Sequence, residues 1–251
     1  VAQGKTDKDT AVATIRLTIG FDADDTLWHN ERFFRLTEAR FQALLADHAD
    51  PDHLAERLIA AERRNIGHYG FGVKGFVLSM IETAIEVTEA RVPAAVIAEI
   101  VAAGREMIAH PVELLPHARE TVEAMRGFGE IVLITKGDLI HQESKLARSG
   151  LGELFDAVEI VSDKTAATYA RIFARHGGKT GVMVGNSLKS DVIPAIEAGG
   201  WGVHVPHGLT WELEHAATPV GHPRFGVIDD LSGLTPVVER IVAGTTSAPE
   251  T

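Results

Sequence analysis

The 251-residue chain contains no cysteine. Disulfides, thiolate nucleophiles, cysteine-held iron–sulfur clusters and cysteine zinc sites are excluded together, and any metal must be held by oxygen or imidazole. No segment approaches the roughly 18 uninterrupted apolar residues that suggest a membrane span, so no membrane partner is expected. Cations are scarce beside anions: 24 Lys and Arg against 35 Asp and Glu leave a formal net charge of −11. Such a field repels a phosphate backbone, and nucleic acid is not an expected partner. A small phosphorylated ligand stays open, because a metal, a local cation or a helix N-terminus outweighs the global sign at short range. The segment Val1 to Thr10 carries Lys5, Asp7, Lys8 and Asp9 without an apolar run. It does not read as a secretory signal, and the expected compartment is the cytoplasm.

What is present is an ordinary globular composition, 45% hydrophobic and 24% charged. Apolar residues alternate at Ile15, Leu17, Ile19 and Phe21 and predict a strand that ends in the carboxylate cluster Asp22-Ala23-Asp24-Asp25. From Glu31 to about Met107 the period is helical, with Phe34, Phe41 and Leu45 on one face and Val96, Ile97, Ile100, Val101 and Ile108 on another. Within it, Asn65 to Gly75 reads as a loop, since Gly67, Gly70, Gly72 and Gly75 crowd together. After Pro111 and Pro116 strands and helices alternate: strand 130–135, helix 139–149, strand 157–161, helix 166–176, strand 181–185, helix 188–198, strand 201–205 and a short strand near Val227. Thr235-Pro236 predicts the N-cap and first residue of a last helix. Repeated strand–helix units imply a doubly wound, mainly parallel sheet, a Rossmann-like α/β core interrupted by an all-helical insertion. The expected boundaries are 14–29 and 112–244 for the core and 30–111 for the insertion, with 1–13 and 245–251 as flexible tails. Nothing in the pattern fixes an oligomeric state.

Ligands of open α/β sheets sit beyond the carboxyl ends of the strands. Four strand ends supply Asp22, Asp24 and Thr26; then Thr135, Lys136, Gly137 and Asp138; then Asp163 and Lys164; then Asn186, Ser187 and Asp191. Carboxylates from two strands, Asp22 and Asp191, suit a hard cation such as Mg2+. One carboxylate can attack phosphorus while another, two residues on, moves protons. Thr135 and nearby backbone N–H groups suit nonbridging phosphoryl oxygens, and Lys164 suits charge neutralisation.

Through Asp22-Ala23-Asp24-Asp25-Thr26-Leu27, Thr135, Lys164 and Gly185-Asn186-Ser187-Leu188-Lys189-Ser190-Asp191, the chain resembles the haloacid dehalogenase superfamily from about Ile15 to Ile228. The resemblance makes the helical insertion a mobile cap. It implies Asp22 as nucleophile, Asp24 as acid/base, Thr135, Lys136, Gly137 and Lys164 as substrate-binding, and Mg2+ held by Asp22, the Asp24 carbonyl and Asp191. Asn186 stands where many relatives carry an acid; its amide oxygen is expected to order a metal-bound water and to weaken or alter metal preference. The implied activity is hydrolysis of a small phosphorylated metabolite. A metal-independent 2-haloacid dehalogenase is disfavoured by Asp24, since a halide leaving group needs no proton. A noncatalytic binding protein of the same fold is disfavoured by the complete motif set. His204 and His207 invite a zinc reading without a third ligand and are expected at the wall or rim of the cleft. His68, Tyr69, Phe71 and Lys74 of the cap loop are candidate substrate contacts, Trp28, His29 and Asn30 candidate hinge or pocket wall, and Lys189 either a support for Asp191 or helix surface.

Overall fold

The structure is a computed structural model describing residues 16–177 and 180–246. Six parallel strands, β1 (Leu17–Phe21), β2 (Gly129–Lys136), β3 (Ala157–Val161), β4 (Gly181–Gly185), β5 (Trp201–His204) and β6 (Phe225–Val227), form one sheet in the order β3-β2-β1-β4-β5-β6. Between β1 and β2 come α1 (Glu31–Leu44), α2 (Pro51–Tyr69), α3 (Val73–Val87), α4 (Ala94–Ala109) and then α5 (Ala118–Met125). The core continues with α6 (Leu139–Ser149), α7 (Ala166–Arg175), α8 (Ile193–Glu197) and α9 (Leu234–Thr246). No helix among the described residues is long and apolar enough to cross a membrane.

Side-chain alternation along the strands builds two hydrophobic layers. Ile131 and Leu133 of β2 with Val182 and Val184 of β4 face α5 and α9 through Val122, Met125, Val238 and Ile241. Val132, Ile134 and Met183 point the other way, onto Tyr169, Ile172 and Phe173 of α7. β1 is central and buried along its whole length. Helices α1 to α4 bury their own cluster, including Phe41, Leu58, Phe76, Met80 and Ile100, and so constitute the all-helical cap region on a Rossmann-like core.

Local structure departs from the sequence expectation at four places. Helix α2 continues through Tyr69, so the cap turn is only Gly70–Gly72, with φ of +72° and +105° at its two glycines. The expected helix 188–198 is a wide π-type turn, Leu188–Val192, followed by α8. Pro194 has no N–H to offer the Ser190 carbonyl, and the Tyr169 hydroxyl donates to that carbonyl instead at 3.0 Å. Asp230, rather than Thr235, starts the last helical segment: it accepts from Ser232 N–H at 2.8 Å at the head of a short turn that runs directly into α9. Helix α9 extends to Thr246, inside the expected C-terminal tail; residues 1–13, Ile15 and 247–251 lie outside the described residues.

Helix α7 approaches the sheet closely because β4 begins with a residue lacking a side chain. A Cβ at Gly181 would lie 2.4 Å from the Phe173 ring. Gly181→Ala is therefore expected to lower stability by about 1–3 kcal/mol through overpacking, measured by urea unfolding. An unchanged midpoint would show that α7 yields without cost.

Candidate active site

The strand order reverses direction between β1 and β4, which opens a crevice at their carboxyl ends. Asp22 follows β1 there, its N–H bonded to Val184 O at 2.9 Å, and the Asn186–Asp191 segment follows β4. Lys164, from the loop after β3, lies between them: its Nζ donates to Asp22 Oδ1 at 2.5 Å and Asp191 Oδ1 at 2.7 Å. All three side chains are almost fully buried. Burial pushes the Asp22 carboxyl up, Lys164 opposes that and Asp191 adds to it, leaving it at about 7. Burial alone would lower the Lys164 ammonium, but Asp191 and Asp22 outweigh it and raise it above its ordinary value.

The first and fourth motifs are tied by Thr26, whose hydroxyl lies 3.0 Å from Asp22 Oδ2 and 3.3 Å from Asn186 Oδ1 and accepts from Asn186 N–H at 3.0 Å. Asp191 is fixed by Ser187 N–H, which donates to its Oδ2 at 2.9 Å. It can approach the strand end because Gly185 leaves room: a Cβ there would meet Asp191 Oδ2 at 2.3 Å.

Asp24 faces the same cleft and accepts from Lys145 Nζ at 2.6 Å, Trp28 Nε1 at 2.7 Å and Gln142 Nε2 at 2.9 Å. Burial would raise its carboxyl, yet Lys145, with Gln142 and Trp28, holds it below the usual range. Lys145 and Gln142 were not foreseen, although their spacing of three on a helix that follows a motif strand puts them on one face. Gln142 Oε1 is buried without a partner. Thr135 is buried against the cleft, and no hydrogen bond to its hydroxyl is made among the described residues.

The cleft between core and cap encloses about 1110 Å³, including its solvent-open part. Lys136 lines it, 4.0 Å above the Phe71 ring and ion-paired with Glu214, which also accepts from Ser187 Oγ at 2.6 Å and Ser190 Oγ at 2.5 Å. Glu214 carried no sequence signal. Gly137 does not line the cleft; with φ of +134° it turns the chain from β2 towards Asp138. Of the cap candidates only Phe71 lines the cleft, edge-on to Trp211; Lys74 pairs with Asp138 at 2.8 Å, Tyr69 bonds Glu82 at 2.9 Å, and His68 is exposed outside the lining. Lys189 donates to Leu213 O at 2.6 Å and anchors the Glu214 loop.

Cap residues Glu31 and Glu62 add carboxyls to the wall, each raised to about 7 by burial. His204 and His207 do not pair and neither lines the cleft: His204 Nε2 lies 3.0 Å from Asn186 O. His207 instead joins Asp25 and His29, with ligand atoms from all three within 4.8 Å of one another. Trp28 is core, and its backbone bridges to Leu114 where the chain leaves for and returns from the cap.

The chain matches a known enzyme family. Residues 17–199 match the model of haloacid dehalogenase-like hydrolases, and the chain belongs to that family. A haloacid dehalogenase-like family hydrolase from Xanthomonas campestris is 43% identical, with a TM-score of 0.82 over 93% of this chain and 94% of that one. A 2-haloacid dehalogenase from Pseudomonas syringae pv. Tomato (20% identity, TM-score 0.58, 90% and 99% covered) has the same fold. So has a predicted phosphoglycolate phosphatase from Haemophilus somnus (17%, TM-score 0.60, 90% and 99%). No curated protein matches.

Two outcomes follow from the site. Glu62, raised from 4.5 to about 7, binds more protons folded than unfolded between those values, so it subtracts stability as pH rises through that window. Glu62→Gln is expected to flatten the fall in unfolding free energy from pH 5 to 8, by about 2 kcal/mol at the upper end, measured by urea unfolding; parallel curves for both proteins would refute this. Gly185→Ala is expected to displace Asp191 and cut turnover by roughly 100-fold, read in a steady-state assay beside a circular dichroism spectrum that confirms folding.

Proposed function

We propose that this hydrolase is a Mg2+-dependent phosphatase that cleaves a small phosphate monoester through a phospho-aspartyl intermediate at Asp22. The observation that carries the reading is the convergence of Asp22, Lys164 and Asp191, with Asp24 as a second carboxylate in the same cleft. The donor set fits a hard divalent ion: two buried carboxylates from different strand ends converge on one ammonium, and the missing side chain at Gly185 lets Asp191 lie against the strand end. Asp22, the Asp24 carbonyl and Asp191 would hold Mg2+, with Asn186 beside them. When bound, the ion offsets charge on the phosphoryl oxygens.

In the first half-reaction an Asp22 carboxylate oxygen attacks phosphorus, the ester P–O bond breaks, and Asp24 delivers a proton to the leaving alkoxide. In the second, Asp24 takes a proton from water, the water oxygen attacks phosphorus and the bond to Asp22 breaks. The three donors on Asp24 favour its ionised form, which the second half-reaction needs, whereas the first needs the protonated form, so Asp24 must take up a proton before the ester bond breaks. Lys164 neutralises the nucleophile, while Lys136 and the free Thr135 hydroxyl offer donors to phosphoryl oxygens. Gly137 acts on this reading only by turning the chain. Phe34, Phe71, Phe76 and Trp211 enclose the space for the alcohol portion.

The test is Mg2+-dependent phosphate release from a panel of phosphorylated metabolites. Wild type is expected to release phosphate, and Asp22→Asn to lose roughly 1000-fold or more. Equal release by both proteins, or halide release from a 2-haloacid without metal, would overturn the proposal.

A further inference from the structure

We propose that Asp25, His29 and His207 form a second metal site, separate from the Asp22–Asp191 crevice, that takes a transition-metal ion of the Zn2+ type and clips the cap hinge to the loop after β5. Two imidazoles and a carboxylate are a zinc-type donor set with a fourth position left for water, whereas Mg2+ favours oxygen alone.

The side chains are already disposed for it. His207 Nδ1 lies 2.9 Å from Leu209 O and 3.4 Å from Leu209 N; in the tautomer that donates from Nδ1 to the carbonyl, the Nε2 lone pair faces Asp25 Oδ1 at 3.7 Å. A backbone carbonyl on the far nitrogen is the usual support for a metal-ligating histidine. Asp25 is fixed in turn, its two oxygens accepting from Asn30 N–H and Glu31 N–H at 2.8 Å each, with lone pairs to spare. The imidazole of His29 makes no hydrogen bond among the described residues and sits edge-on to His207, ring centroids 6.0 Å apart. The nearby cation, Arg32, is engaged by Glu113.

Ligands on a tetrahedral ion with bonds of about 2.1 Å lie roughly 3.4 Å apart. The cluster, at up to 4.8 Å, is wider than that spacing, and the unheld His29 ring is the group free to close it. The consequence is mechanical. His29 lies where the segments that enter and leave the cap meet, its N–H bonded to Glu113 O at 3.0 Å, while His207 lies in the loop after β5 that carries Trp211 and Glu214 into the cleft. One ion would tie both to Asp25.

The probe is Co2+ added to the full chain in excess Mg2+, which saturates oxygen-only sites. The expected result is one Co2+ per chain with the intense visible absorption of tetrahedral coordination. His29→Gln and His207→Gln should each weaken binding by about 100-fold, and His204→Gln should leave it unchanged. Both cluster histidines are partly exposed, so the variants should fold. Absence of the band in wild type, or equal binding by the two cluster variants and wild type, would overturn the proposal.

Discussion

A buried ammonium between two buried carboxylates organises this protein. Removing Lys164, Asp22 and Asp191 from water costs several kcal/mol per ion unless each is paired and hydrogen-bonded, and here each is: Lys164 bridges the acids, Thr26 meets Asp22, and Ser187 N–H meets Asp191. The arrangement exists because β1 and β4 are neighbours although more than 150 residues separate Thr18 from its partner Gly181. It also needs the empty side-chain position at Gly185 and the wide turn that carries Asp191 inward. With both carboxyls ionised, the two acids outnumber the one ammonium, a balance that suits a cation.

A second chain of contacts connects this centre to the cap. Lys136, next to Thr135 on β2, pairs with Glu214 and lies over Phe71; Phe71 meets Trp211; Glu214 is anchored on Ser187 and Ser190 beside Asp191. Farther out, Arg63 pairs with Glu212 at 3.6 Å and Arg35 donates to Thr210 O at 3.3 Å. The loop after β5 is thus held by cap and core together. The cleft wall it completes combines aromatic faces with the raised carboxyls of Glu31 and Glu62. Such carboxyls reduce stability at neutral pH, a cost of the kind that binding surfaces commonly carry.

The strands were legible because each is a short apolar run closed by polar or glycine residues, and the observed β3 and β4 match the expected 157–161 and 181–185. Asp22, Lys164 and Asp191 were legible because each stands just beyond such a run. Lys145, Gln142, Glu62 and Glu214 were not, since each sits in a segment whose local pattern is ordinary; Glu214 reaches Lys136 across 78 residues. The cap loop was drawn too long because glycine spacing marks conformational freedom rather than its use. Gly67 lies inside α2 with open space around it. The expectation of His204 and His207 at the cleft wall failed for the opposite reason: proximity in sequence says nothing about direction, and β5 ends between them, sending their rings to different partners away from the cleft.

By itself the sequence determined the layered α/β core, the helical insertion and the acids at strand ends, because hydrophobic period and chain reversal are local properties written within a dozen residues. Only the tertiary structure decided which donors hold Asp24, which histidine meets Asp25 and which carboxyls face the cleft. Those depend on the relative placement of distant elements, where a rotation of one helix by a single residue changes the partner.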